Sequence, residues 1–320
     1  MSMLIESQRT EYATAVDDSL LTWAEAFLNS RKAQGAAEGT LSFYQKKLKL
    51  LLDYCGAISI DRISQITTNM IRQFLVYLEN TGHNPGGRHA AYRTLRSFLH
   101  WYEEEAEIEG WANPIRNVKA PKIPTEVLDP VSHKTVAKMI EACDRGTFAG
   151  DRDVAMLLCL LDTGARVTEF LNINLEDINQ VQGNILIRHG KGGKPREVYL
   201  GKQSRRALRR YLKHRNDHNP ALWVTHPRFG SERLNYDGLR SMLSRRAANS
   251  NVDEPSSHDF RRAFALSMLR NGTDIYTLAK LMGHEGIVVL QRYLKQTYQD
   301  TEQAHRRAGP VDNSEFLGLI

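Results

Sequence analysis

The sequence contains little cysteine. Among its 320 residues there are three, Cys55, Cys143 and Cys159, and none of them lies in a Cys-x-x-Cys pair. Zinc knuckles and disulfide frameworks need thiols paired at short spacings, so neither kind of site is indicated. Cys159 lies inside the apolar run 154–161 and is predicted to be a core residue.

Long hydrophobic runs and a signal peptide are also lacking. A helix that crosses a bilayer needs about 20 consecutive apolar residues, and a secretory signal needs an apolar stretch behind a basic start. Because the sequence has neither feature, a reducing cytoplasm is the expected compartment.

Charge of one sign does not dominate the chain, since 43 Lys and Arg residues face 37 Asp and Glu residues, a net charge of +6. This excess does not identify a nucleic-acid binder by itself. The basic residues are clustered, however: seven lie between Lys202 and Arg215 without an acid. A solvated helix face would explain one such run, but a second cluster favours a surface that follows phosphates. The second cluster contains Arg245, Arg246, Arg261, Arg262 and Arg270.

Residues 19–112 are predicted to form a small helical domain. Apolar residues recur there at helical spacing in four segments, and Thr40 is predicted to cap the second of them. Four prolines between residues 113 and 130 prevent a continuous helix and predict an extended linker. The helical segments are 20–28, 41–52, 68–78 and 89–103.

Residues 131–309 are predicted to form a second domain, which is mostly helical with a small β-hairpin. Its strands are residues 184–189 and 196–200, and they flank a glycine-rich turn. The tail 310–320 ends in apolar residues that would be costly to leave in water. We expect it to pack on a neighbouring protomer, or else on its own domain. The predicted fold class is therefore mainly α.

Several polar residues lie in unusual sequence contexts. Arg166 opens a helical segment, and Glu169 lies one turn later. Lys191 is in the glycine-rich turn, with Lys194 as its rival for any role there. This turn lacks the Walker spacing, and Pro195 blocks a following helix, so a nucleotide-binding loop is not indicated. Taken alone, Arg166 would be explained by a salt bridge and Lys191 by a solvated turn.

Two histidines and a tyrosine complete the set. His258 and Arg261 are three residues apart and share one helix face. His284 ends another helical segment, and Tyr293 lies nine residues beyond it. Each would be structural in most proteins if it stood alone.

Together these residue types suit the cleavage of a phosphodiester. Two guanidiniums can bind the nonbridging oxygens of a pentacoordinate phosphorus without a metal. A tyrosine oxygen can attack phosphorus and form a covalent ester. Lysine can protonate the leaving 5′ oxygen, while histidines can carry the nucleophile's proton and hydrogen-bond the phosphate.

The order of these residues resembles that of the tyrosine recombinase (phage integrase, Xer-like) family. The resemblance covers nearly the whole chain, and it implies a helical, SAM-like core-binding domain followed by the family's catalytic fold. The matching segments are 163–169, 190–194, 258–261 and 281–284, followed by Tyr293.

The resemblance implies a role for each matching position. Arg166 and Arg261 would hold the scissile phosphate, Lys191 would be the general acid, and Glu169 would support Arg166 from behind. No metal and no other cofactor is implied, because the covalent ester conserves the energy of the broken bond.

The histidines and the nucleophile are assigned in the same way. His258 would assist proton transfer, His284 would bind the phosphate or orient the site, and Tyr293 would form a 3′-phosphotyrosyl link. Tyr298 is the rival nucleophile, although its spacing differs from that of the family. Arg262 departs from the pattern, since many relatives carry histidine there.

The resemblance also implies partners. The two domains would clamp double-stranded DNA, and four protomers would assemble on two specific sites and exchange strands through a Holliday junction. Free in solution, the protein would be a monomer or weak oligomer. An accessory directionality factor is a further partner that the resemblance implies. The candidate phosphate contacts are Arg88, Arg93, Lys119, Lys122, Lys194, Arg196 and Arg262.

Two other functions share parts of this pattern. A type IB topoisomerase uses the same chemistry as a monomer, and a DNA-binding regulator could retain the scaffold without catalysis. The helical N-terminal domain and the apolar tail favour a recombinase over a topoisomerase. The complete set, including its nucleophile, argues against a regulator. Each of these roles acts on DNA and therefore implies association with the nucleoid.

Overall fold

The computed structural model of the protein describes residues 18–123, 129–188 and 195–283, together with residues 302, 305, 306, 309 and 311. The chain divides into two compact units, Met1–Thr125 and Glu126–Ile320. Helices dominate the described part of both units, and its paired strands form a single two-stranded sheet. The predicted fold class, mainly α with a small hairpin, is confirmed.

The first unit has helices at the four predicted segments. Ser19, Thr67 and Asn84 each cap a helix, because each side chain accepts a hydrogen bond from the backbone N–H three residues later. The fourth helix begins earlier than predicted, since Asn84 caps it and proline suits the first helical position. The helices are α1 (Leu20–Ala33), α2 (Glu38–Ala57), α3 (Thr68–Asn80) and α4 (Pro85–Ala106).

The predicted cap of the second helix was wrong. Helix α2 begins at Glu38 with Ala37 at its N-cap, so Thr40 lies inside the first turn. An acidic residue at the first position of a helix is favoured by the positive end of the helix dipole. The helix start is therefore favoured by an acidic residue, and no hydroxyl side chain caps it.

The core of the first unit is aromatic and extends to part of the stretch predicted as a linker. Phe27, Phe98 and Trp101 contact one another within it. The hydroxyl of Tyr92 donates to the carbonyl of Val118 at 2.9 Å, and a short 3-10 turn, Pro114–Asn117, lies beside α3 and α4. The chain through residue 118 therefore packs on this unit, and the exact domain boundaries stay predictions.

The second unit is built around one buried helix. Helix α6 is buried along most of its length, and α5, α8 and α10 pack against it. Cys159 lies on this helix and is fully buried, as predicted. The helices are α5 (His133–Glu141), α6 (Phe148–Thr163), α7 (Val167–Leu171), α8 (Lys202–Leu212), α9 (Tyr236–Asn249), α10 (Ser257–Arg270) and α11 (Ile275–Met282).

The predicted β-hairpin is present. Strands β1 (Asn184–Ile187) and β2 (Arg196–Tyr199) are antiparallel, and their register pairs Ile187 with Arg196. The side chains of Ile185, Ile187 and Val198 face the core. The glycine-rich turn itself, residues 189–194, lies outside the described residues.

The junction between α6 and α7 depends on a glycine. Gly164 has a φ of +56°, and a Cβ at this position would lie 2.2 Å from a ring carbon of Phe264 on α10. Only glycine fits both the left-handed backbone and this close contact. The junction lets α6 end and α7 begin beside α10.

In the part of the chain that the structure describes, no helix is both long and apolar enough to cross a membrane.

Candidate active site

Arg166 lies at the N-cap of α7, and Glu169 is in the first turn of that helix. The backbone N–H of Arg166 donates to Oε2 of Glu169 at 2.9 Å, and its Nη1 donates to Oε1 at 2.9 Å. A carboxylate at this position satisfies an N–H that has no helical partner and faces the positive end of the helix dipole. Glu169 therefore fixes both the backbone and the side chain of Arg166.

Glu169 is shared with a second arginine. Arg196, the first residue of β2, donates from Nη1 to Oε1 at 3.1 Å and from Nη2 to Oε2 at 2.7 Å. Burial by itself raises the pKa of Glu169, but the hydrogen bonds from Arg196 and Arg166 outweigh it, and the pKa is lowered. An ionised carboxylate, with 3% of its side chain exposed, thus holds two guanidiniums.

Three arginines bind the carbonyl end of α11. Nε of Arg196 donates to the carbonyl of Leu281 at 2.9 Å, and Nη2 of Arg166 donates to that of Gly283 at 2.9 Å. Nη2 of Arg261 donates to the carbonyl of Met282 at 2.8 Å. The last carbonyls of a helix have no partner within it and carry its negative dipole end, so guanidiniums suit them.

Arg261 and His258 both lie on α10 and contribute to the same site at the end of α11. Arg261 is buried, and its Nη1 also donates to the carbonyl of Gly164 at 2.6 Å. His258 lies one turn earlier and is exposed. Partial desolvation of its imidazole, followed by the positive charges of Arg261, Arg262 and Arg166, lowers the pKa of His258. Its neutral form is therefore favoured near pH 7.

The structure thus brings together Arg166, Glu169, His258 and Arg261 of the predicted set. In the sequence, Lys191 and Lys194 lie between β1 and β2, His284 directly follows Gly283, and Tyr293 comes nine residues later. These four positions lie outside the described residues.

The arginines predicted to contact DNA are placed in different ways. Arg196 is committed to Glu169 and to α11, and Arg262 forms an ion pair with Asp259. Arg88 forms an ion pair with Glu79 across the α3–α4 turn.

Three of the predicted DNA contacts have exposed side chains in the first unit. Arg93 lines a groove of about 610 Å³ together with Arg96 and His100. Lys119 lines a second groove, and Lys122 is exposed. Cations beside open grooves are available to phosphates, and these positions stay candidate contacts.

The two basic clusters differ in the structure. In the first, Arg205 and Arg215 donate to backbone carbonyls, whereas five cations lie exposed on or beside α8: Lys202, Arg206, Arg209, Arg210 and Lys213. The prediction that the second cluster forms a phosphate-following surface was wrong for Arg246, whereas Arg261 belongs to the site. Arg261 is buried in the site, and Arg246 is buried against Asp153, because each is needed to satisfy buried polar groups.

Sequence reasoning missed the position of Arg196 within the site. It lies 27 residues from Glu169 and 85 from Leu281, so no local spacing connects them. The signal available was its place at the start of a strand, next to a turn already thought to carry a catalytic lysine.

In this α-rich unit with one hairpin, three arginines converge beside a histidine, and that arrangement suits the binding of a phosphate. Residues 130–300 match the Phage integrase family, and residues 24–106 match the Phage integrase, N-terminal SAM-like domain. The chain belongs to the phage integrase family, the tyrosine recombinases, as the sequence resemblance implied.

Known relatives cover most of the chain. It is 26% identical over 277 residues to tyrosine recombinase XerA of Pyrococcus furiosus, an alignment that covers 83% of this chain and 96% of the relative. It is 28% identical over 288 residues to tyrosine recombinase XerC of Oceanobacillus iheyensis, covering 88% and 93%. The fold is similar to a lambda integrase tetramer bound to a Holliday junction, with a TM-score of 0.70, 17% identity and coverage of 90% and 80%.

Proposed function

We propose that this protein is a site-specific DNA recombinase that cleaves and rejoins strands through a 3′-phosphotyrosyl intermediate. The observation that carries the proposal is the convergence of Arg166 and Arg261 at the end of α11, next to the sequence position of His284. Two guanidiniums fixed in this way are preorganised to neutralise the charge that develops on a scissile phosphate. A quarter of the Arg166 side chain is exposed, which leaves it accessible to that phosphate.

The proposed reaction exchanges one phosphoester for another. The Tyr293 oxygen attacks phosphorus, the bond from phosphorus to the 5′ oxygen breaks, and Lys191 gives that oxygen its proton. His258 accepts the proton of Tyr293, which suits its lowered pKa. Attack by a 5′ hydroxyl on the phosphotyrosine reverses the steps and restores the DNA backbone.

The proposed partner is double-stranded DNA that carries recombination sites. Lambda integrase has been captured as a tetramer on a Holliday junction. By analogy, we infer that four copies of this chain assemble on two sites, with nucleoid association as a consequence. Packing of the tail 312–320 between protomers is part of this proposal, and those residues lie outside the described ones.

A substrate with two recombination sites on one plasmid tests the proposed function. We expect the protein to give deletion or inversion products, and a Holliday junction should accumulate when the second strand exchange is slowed. Restriction mapping of the products measures both. Plasmid relaxation without any two-site product would instead indicate a topoisomerase, and binding without cleavage would indicate a regulator.

The pH dependence of cleavage tests the role of His258. Neutral imidazole can accept a proton and imidazolium cannot, so the rate should fall on the acid side as His258 becomes protonated. Because partial desolvation and three arginines lower the pKa of His258, that fall should come below the ordinary imidazole range, about pH 6.5. Single-turnover cleavage rates between pH 5 and 8 measure it. His258→Gln should be slower and should lose this acid limb; an unchanged limb would assign it to another group.

A further inference from the structure

Arg196 has a larger role in the site than one DNA contact. Its guanidinium donates from three nitrogens: Nη1 and Nη2 to the two oxygens of Glu169, and Nε to the carbonyl of Leu281. Only 11% of its side chain is exposed. A single side chain thus joins the hairpin, the start of α7 and the end of α11.

The backbone of α11 is shaped to receive this guanidinium. Gly283 follows the helix with a φ of +65°, and a Cβ there would lie 2.9 Å from Nη1 of Arg196 and 3.0 Å from its Cζ. The chain therefore passes against the guanidinium at a distance that a larger residue would not permit. This contact fixes the point at which the sequence continues into His284.

We propose that Arg196 is a positioning residue of the strand-cleavage site: it holds the Glu169 carboxylate that presents Arg166 and anchors the end of α11. In this role the positive charge of Arg196 is paired with Glu169 inside the protein and does not contact DNA. The inference rests on the proposed function, since it assigns a role within that reaction.

The geometry gives Arg196 a specific effect on Glu169. Among the partners of this carboxylate, Arg196 makes the strongest contribution that keeps it ionised, against the opposing effect of burial. Without Arg196, Glu169 would have one arginine in place of two, and its pKa would rise. A protonated Glu169 would hold Arg166 less firmly, because a charge-assisted hydrogen bond becomes an ordinary one.

The test replaces Arg196 by methionine and by lysine. Arg196→Met should lower the single-turnover cleavage rate by about 10²-fold, the loss typical of a misplacement near 1 Å. Arg196→Lys should recover only part of the rate, because one ammonium cannot span both carboxylate oxygens and the Leu281 carbonyl. DNA affinity and its salt dependence should not change, whereas loss of a phosphate contact would reduce the salt slope by about one.

Two readouts separate positioning from general damage to the fold. In Arg196→Met, the cleavage rate should rise with pH over a range in which the wild type is constant, because Glu169 must then be deprotonated. A double-mutant cycle with Glu169→Gln should be strongly non-additive, since both changes break the same link.

Arg188→Met is the matched control. Arg188 lies on the same hairpin and forms ion pairs with Glu176 and Asp177, but it is half-exposed and away from Glu169. This variant should cleave like the wild type. If Arg196→Met also cleaves like the wild type, or if it loses affinity and one unit of salt slope, the inference fails. If the wild type and Arg188→Met fail to cleave any site-bearing DNA, the proposed function fails instead.

Discussion

Tyr293→Phe is expected to abolish the covalent protein–DNA adduct. A nicked suicide substrate releases the short strand after cleavage, so the wild type should accumulate an adduct that survives detergent. Phenylalanine has no oxygen to attack phosphorus, and removal of a covalent nucleophile costs roughly 10⁴-fold or more. Denaturing gel electrophoresis of labelled DNA measures the adduct, and DNA affinity should be retained because the rest of the site is intact.

Tyr298→Phe and Tyr276→Phe are the controls for this experiment. Tyr298 is the nearest alternative nucleophile in the sequence, and Tyr276 lies exposed on α11. Both variants should form the adduct at close to the wild-type level. An adduct that persists in Tyr293→Phe and disappears in Tyr298→Phe would move the nucleophile to Tyr298 while leaving the proposed chemistry in place.

The site could be predicted from sequence where its geometry is local. Arg166 and Glu169 are one helical turn apart, and so are His258 and Arg261, so helical periodicity alone places each pair together. The hairpin was visible because alternating apolar residues flank a glycine-rich turn.

The rest depends on contacts between distant segments. The carbonyl end of α11 accepts hydrogen bonds from α7, β2 and α10, and backbone carbonyls leave no trace in a residue pattern. The sequence pattern also does not reveal which cations are buried. Arg196 and Arg246 are indistinguishable in sequence from surface arginines, and their roles follow only from the carboxylates that the fold places beside them.

The charges of the site explain why it suits a phosphate. Arg166, Arg196 and Arg261 contribute three positive charges, and Glu169 offsets one of them. The carbonyls of Met282 and Gly283 accept hydrogen bonds from these guanidiniums, but they are neutral dipoles and do not cancel a positive charge. The described part of the site therefore keeps an excess of positive charge that a phosphodiester can complement.

A second buried hub shows what such arrangements contribute to stability. Asp153 on α6 is fully buried. Its Oδ1 accepts from Arg152 at 2.8 Å, and its Oδ2 accepts from Arg246 at 2.7 Å and from Arg245 at 3.1 Å. Arg246 also donates to the carbonyl of Ala142, so this carboxylate connects α6, α9 and the end of α5.

Asp153→Asn is therefore expected to destabilise the second unit by about 3–5 kcal/mol, the cost typical of breaking a buried ion pair. An amide keeps the size of the side chain but removes the charge, and its NH₂ group would face guanidinium donors. Arg152 and Arg246, each less than one-tenth exposed, would remain buried without a counter-charge. Guanidinium chloride unfolding, followed through the buried Trp223 of this unit in a variant lacking the other tryptophans, measures the change.

Two further variants show whether the loss comes from unpaired buried charge. Glu176→Gln breaks an exposed ion pair with Arg188 in the same unit and should leave the unfolding midpoint nearly unchanged. Combining Asp153→Asn with Arg246→Met should cost less than the sum of the two single changes, because the second change removes a cation that the first left unpaired. A loss below about 1 kcal/mol in Asp153→Asn, or full additivity, would mean that the arginines find solvent or other carbonyls when the carboxylate is neutralised.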